Sequence, residues 1–141
     1  MKRRAFHRSP LLAGMAPLIL ALGTAVASAE PLDRLLEGYR SEGAGPFSAE
    51  RGRALWTRQV RPDAGTRPRS CTTCHGEDPR GVGRHARTGK RIEPMAHSAN
   101  PERFTNPRKV EKWFRRNCKW TFGRPCTTQE KGDILTYLSS Q

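Results

Sequence analysis

Acidic residues are scarce in this 141-residue chain: 13 Asp and Glu stand against 26 Lys and Arg, for a formal charge of +13. Aromatic residues make up only 7%, and no internal repeat or low-complexity tract is visible, which excludes solenoid and array architectures. Cysteines number four, and only one pair, Cys71 and Cys74, is closely spaced; a four-thiolate zinc site usually asks for two such pairs. No βαβ pattern surrounds that pair, which argues against a thioredoxin-like redox motif. Long apolar runs are lacking too, apart from Leu11 to Val26, and Gly14, Pro17 and Gly23 interrupt that one. It falls short of the roughly 20 apolar residues that a spanning helix needs.

The same stretch fits an export signal. Lys2, Arg3, Arg4 and Arg8 precede it, and Ala27-Ser28-Ala29 follows as a small-residue cleavage site. Residues 1–29 are therefore expected to be a signal peptide, and residues 30–141 a single domain in an oxidising, periplasmic compartment. The leader holds four of the 26 basic residues and none of the acidic ones, so the remainder carries 22 against 13. Such a surface suits nucleic acid, an anionic membrane or an acidic protein. Export and the scatter of arginines from Arg34 to Arg124 speak against nucleic acid, and an acidic redox partner is the better use.

What is present is concentrated in five residues, Cys71-Thr72-Thr73-Cys74-His75. A CxxCH run supplies two thiols that can add to neighbouring vinyl groups of one porphyrin, followed by an imidazole for the iron. One such motif implies one covalently bound haem c per chain, with Cys71 and Cys74 attaching it and His75 as the proximal ligand. In an exported chain the remaining cysteines, Cys118 and Cys126, are expected to form a disulfide.

Periodicity predicts helices around this motif. Leu32, Leu35, Leu36 and Tyr39 recur at three- and four-residue spacing, ending near Gly43. Ser48 can cap a second helix that carries Ala54, Leu55 and Trp56, with Arg51, Arg53 and Arg58 on its wet side, stopping before Pro62. Residues 61–70 and 76–102 read as irregular, the second stretch being long unless a cofactor gives it something to pack on. Asn106-Pro107 opens another helix, with Val110, Trp113, Phe114 and Asn117 assigned to one face. Thr127 to Glu130 form a capping box for a terminal helix burying Ile134, Leu135 and Leu138.

The sixth iron position has four candidates. Met95 is the first on chemistry, since methionine is a common axial ligand, although a thioether also fills space against a porphyrin. His85 and His97 lie in Arg- and Ser-rich surroundings that suit exposed, unliganded imidazoles. Asn117 is a polar residue on an otherwise apolar stripe, next to a cysteine expected to be tied down. Bonding to local backbone is its ordinary alternative.

The residues Cys71 to Gly76, Arg87-Thr-Gly-Lys, Pro101-Glu-Arg-Phe-Thr, Val110-Glu-Lys-Trp, Arg116-Asn-Cys, Gly123-Arg-Pro-Cys-Thr and Glu130-Lys together resemble one family. It is the sphaeroides haem protein (SHP) family of high-spin, oxygen-binding monohaem cytochromes c. The resemblance covers nearly all of residues 30–141, and the Asn-Cys and Gly-Arg-x-Cys-Thr segments are its most specific part. It implies an all-α, small class I-like cytochrome c fold in which helices and loops wrap one haem. It further implies that Asn117 ligates ferric iron opposite His75, that Cys118 bridges to Cys126, and that reduction releases the asparagine so that oxygen, nitric oxide or carbon monoxide can bind. Electron donors in the family are a di-haem cytochrome c and a membrane b-type cytochrome. An oxygen- or nitric-oxide-reducing activity is compatible with such a site without being specified by it. The competing reading is a six-coordinate electron carrier with permanent His75 and Met95 ligation.

Overall fold

The computed structural model describes residues 30–141; the expected signal peptide lies outside them. Among the described residues, five helices and one short hairpin are connected by loops: α1 (Pro31–Ser41), α2 (Ala49–Thr57), α3 (Thr72–His75), β1 (Gly83–Arg84), β2 (Arg91–Ile92), α4 (Pro107–Phe122) and α5 (Thr128–Ser139). The all-α expectation holds, with one addition. The hairpin, which pairs Gly83 with Ile92 and Arg84 with Arg91, falls in the stretch read as irregular. Two residues per strand give period-2 alternation no room to show.

Local signals set the helix ends. Ser48 accepts a hydrogen bond from Arg51 N, and Asn106 accepts one from Lys109 N with Pro107 in the first turn. Thr127 and Glu130 complete a reciprocal capping box. α4 stops at Gly123, whose φ of 72° is left-handed backbone that glycine adopts without strain.

The core lies where α2 crosses α5. Tyr39, Leu55, Trp56, Phe104, Ile134, Leu135, Tyr137 and Leu138 are buried there, with Leu32, Leu35 and Leu36 of α1 packed on the outside. Glycine permits the close crossing: a methyl group at Gly52 would meet the Asp133 carbonyl and Tyr137 Cβ, and one at Gly132 would meet the Phe47 ring. Between these helices Asp133 is only 2% exposed, a burial that its charge permits because four donors reach it. Ser48 N and the Arg51 Nε and Nη2 groups lie at 2.7–2.8 Å, and Gln129 Nε2 at 3.1 Å. Arg51, assigned to the wet side of α2, is thus half-exposed and bound to the interior. Glu111 ties α4 to its neighbours, accepting from the Tyr39 hydroxyl of α1 and from Lys131 Nζ of α5 at 2.7 Å.

α4 divides its stripe. Val110 and Phe114 pack on the core, whereas Trp113 remains 45% exposed and Asn117 is exposed. At about 100° per residue, Trp113 and Phe114 diverge to opposite edges of the stripe, and only the Phe114 edge turns inward.

Candidate haem site

The CxxCH segment is held from three sides. On the N-terminal side, Val60 and Arg69 exchange both backbone hydrogen bonds at 2.8 Å, closing the Pro- and Gly-containing loop between them. Ser70, fully buried, then nucleates the turn. Its N–H donates to Thr73 Oγ1 at 3.0 Å and its hydroxyl shares a 2.6 Å hydrogen bond with that of Thr72. Cys71 precedes α3 and Cys74 lies within it, so the thiols sit three residues apart, on one side of a single helical turn.

From the core side, Trp56 donates its indole N–H to Gly76 O at 3.1 Å and sets its ring 5.3 Å from that of His75. From the hairpin side, Gly83 lies so close that a Cβ would collide with the Cys74 carbonyl and His75 Cα. The Ala86 N–H points at Cys74 Sγ from 3.3 Å.

The electrostatics suit metal ligation by nitrogen. Burial, with a smaller contribution from the Arg103 guanidinium, pushes the His75 imidazole down to about 4, so at neutral pH the ring is uncharged and keeps a lone pair for a metal. Its Nδ1 is buried with no hydrogen-bond partner among the described residues. Burial likewise pushes the Cys71 thiol up to about 12. Cys71 and Cys74 are both unpaired although the other two cysteines are linked to each other. Two free thiols one turn apart, a neutral imidazole on the next residue, and the apolar Val82 beside Gly83, 45% exposed, fit a covalently attached haem.

The four candidates for the opposite position are placed differently. His85 caps its own turn, its Nδ1 accepting from Thr88 N at 3.2 Å and from Arg87 N at 3.3 Å. His97 is exposed; its backbone N–H bonds to Leu138 O at 3.1 Å. Met95 is half-buried and packs against the core cluster, in a loop fastened by two hydrogen bonds to Pro79 O and by Arg103, which donates to Pro94 O and Glu93 O. Asn117 projects from the exposed side of α4 and has no side-chain hydrogen bond among the described residues.

The helix that carries Asn117 is coupled to the CxxCH segment. Cys118 is bonded to Cys126, and with Phe122 they form a second buried cluster on which Val60 and Phe114 pack. Arg69 donates to Trp120 O at 3.0 Å and lies 4.8 Å from the centre of the Trp120 ring. The Val60–Arg69 ladder therefore touches α4 with one end and leads into Cys71 with the other. Sequence reasoning passed over Val60, Arg69, Ser70, Gly83 and Arg103, because their roles depend on partners remote in the chain. Only the indole N–H of Trp56 gave a hint, since a buried Trp needs an acceptor.

Comparison with known proteins agrees with this geometry. A family model described as a domain of unknown function, DUF1924, matches residues 42–138. The chain is 46% identical over 121 residues to cytochrome c-type protein SHP of Cereibacter sphaeroides, spanning 84% of this chain and 91% of that protein. It is 33% identical over 90 residues to cytochrome c'' of Methylophilus methylotrophus, covering 64% of this chain and 62% of that one. The structure of oxidised SHP, an oxygen-binding cytochrome c, superposes with a TM-score of 0.73 at 45% identity, covering 81% of this chain and all of the other. Oxidised cytochrome c'' superposes at 0.67 with 31% identity, over 77% and 92% of the two chains. A chain with this motif, this fold and these relatives carries one covalently bound haem c and belongs to the SHP family of monohaem c-type cytochromes.

Proposed function

We propose that residues 30–141 form an exported, periplasmic cytochrome whose haem is attached by Cys71 and Cys74 and held proximally by His75. Asn117 is the second axial ligand, given up when the iron is reduced. Haem c supplies an iron that cycles between ferric and ferrous states, the ferric ion being harder and more tolerant of an amide oxygen. Asn117 Oδ1 is a weak, hard donor, so it holds in the oxidised form and lets go in the reduced form. The face it leaves is then open to oxygen, nitric oxide or carbon monoxide. His75 stays in place, kept neutral by burial and flanked by Trp56.

The observation that carries this reading is the position of Asn117. Its amide has no other hydrogen bond among the described residues, and the next residue is locked by the Cys118–Cys126 bridge. The ordinary alternative, a helix-terminal asparagine bonding to local backbone, has no such bond to rest on. Met95, by contrast, already packs its thioether on the core. The relative described as an oxygen-binding cytochrome c supports gas binding, and work on cytochrome c'' concerns haem-ligand detachment. The basic surface suits acidic electron donors, which the family resemblance gives as a di-haem cytochrome c and a membrane b-type cytochrome.

Met95→Ala separates this reading from a His75 and Met95 electron carrier. With Asn117 as ligand, the variant keeps the ferric spectrum and the gas reactivity of the parent protein. Loss of a charge-transfer band typical of methionine-bound ferric haem would assign the position to Met95 instead.

A further inference from the structure

α4 carries a charged face that the fold does not use. Arg108, Lys109, Lys112, Arg115, Arg116 and Lys119 follow Arg108 at offsets of one, four, seven, eight and eleven residues. At about 100° per residue these fall within roughly a third of the helix circumference. All six side chains are exposed, and none makes an ion pair among the described residues. Other cations of the molecule do find carboxylates: Arg51 pairs with Asp133, Arg91 with Glu93 and Arg124 with Glu130. Six like charges on about three turns repel one another, so this face costs stability that an opposite charge would return.

Trp113 and Trp120, 45% and 39% exposed, lie along one border of the ridge, and Asn117 follows just beyond them around the helix. Exposed Trp beside Arg is the composition of an interface anchor. The two rings are unsuited to membrane insertion, because each is covered by a guanidinium: Arg116 lies 5.2 Å from the Trp113 centroid and Arg69 lies 4.8 Å from that of Trp120. No aliphatic side chain interrupts the cations to give a lipid-facing stripe.

We infer that the Arg108–Lys119 face of α4 is the docking surface for an acidic electron-donor protein, which delivers its electron at the haem edge next to Asn117. The inference rests on the Asn117 reading in one respect, that the haem edge lies beside this ridge. In the transfer, one electron leaves the reduced donor and converts ferric iron to ferrous, and release of Asn117 follows. Donor docking and opening of the gas site then occur on the same helix.

The test uses the haem-loaded protein and reduced flavodoxin, a small acidic one-electron donor, as the probe. Rates of haem reduction are measured by stopped flow at low and high salt for three proteins. They are the wild type, Lys112→Glu/Lys119→Glu on the ridge, and Arg53→Glu/Lys90→Glu, which changes net charge equally at exposed sites outside α4 and outside the 61–69 loop that touches it. Electrostatic steering is expected to make the wild-type rate fall steeply with salt and the ridge variant about tenfold slower at low salt, the control staying within about threefold. Equal slowing of both variants would overturn the assignment in favour of net charge alone. So would an unchanged flavodoxin rate in a ridge variant that no longer sediments with phosphatidylglycerol/phosphatidylcholine vesicles, since the face would then be a membrane surface. Carbon monoxide binding to the reduced wild type is read separately: its absence would sink the ligand-release reading, whereas the ridge is judged by the rate comparison.

Discussion

Asn117→Met is expected to abolish most gas binding by the reduced protein while leaving haem attachment intact. A thioether is a soft ligand that holds ferrous as well as ferric iron, so placing it where the amide stood closes the site in both oxidation states. If the thioether occupies iron 99 times in a hundred, the apparent affinity for carbon monoxide falls roughly a hundredfold, because only the open fraction can bind. Asn117→Ala is the complementary change. It removes the ferric ligand, so the oxidised spectrum shifts from that of the wild type, while the reduced protein and its carbon monoxide complex stay as in the wild type. A ferric spectrum indifferent to Asn117→Ala would place the ligand elsewhere.

The Cys118–Cys126 bridge is expected to matter twice. Opening it as Cys118→Ala/Cys126→Ala releases a ring of eight-residue separation, which chain-entropy reasoning values at about 2–3 kcal/mol. Thermal or denaturant unfolding of the double variant measures that loss. The bridge also fixes α4 one residue beyond Asn117, and its cluster carries Val60, which continues through Arg69 to the CxxCH turn. The folded variant should therefore show an oxidised spectrum displaced toward that of Asn117→Ala at the same temperature. Lower stability with an unaltered ferric spectrum would limit the bridge to a structural role.

The parts legible in the sequence were those whose cause is local. CxxCH is a five-residue signal, the caps Ser48, Asn106 and Thr127 act within three residues, and the buried side of α5 repeats with the helical period. Periodicity fails where tertiary contacts decide. Arg51 looked like a wet-side cation and instead satisfies Asp133, 82 residues away. Trp113 shares the apolar stripe of α4 in sequence, yet its divergence of about 100° from Phe114 leaves it outward. The hairpin at Gly83–Ile92 is too short to announce itself, and its contact with Cys74 depends on Gly83 having no side chain. The Arg69–Trp120 contact spans 51 residues, and no pattern within either segment points to the other.

The reading of Asn117 brings the fold, the bridge and the basic face of α4 into one account. On the proposed function, an amide ligand held from a pinned helix serves ferric iron, and on the docking proposal a reductant bound along the same helix opens the site. The most direct test is the optical spectrum of the haem-loaded protein, oxidised and then reduced, with and without carbon monoxide. The expected result is a ferrous protein that is high-spin and shifts at once to a carbon monoxide complex on mixing. A reduced spectrum that is low-spin and unchanged by the gas would contradict it.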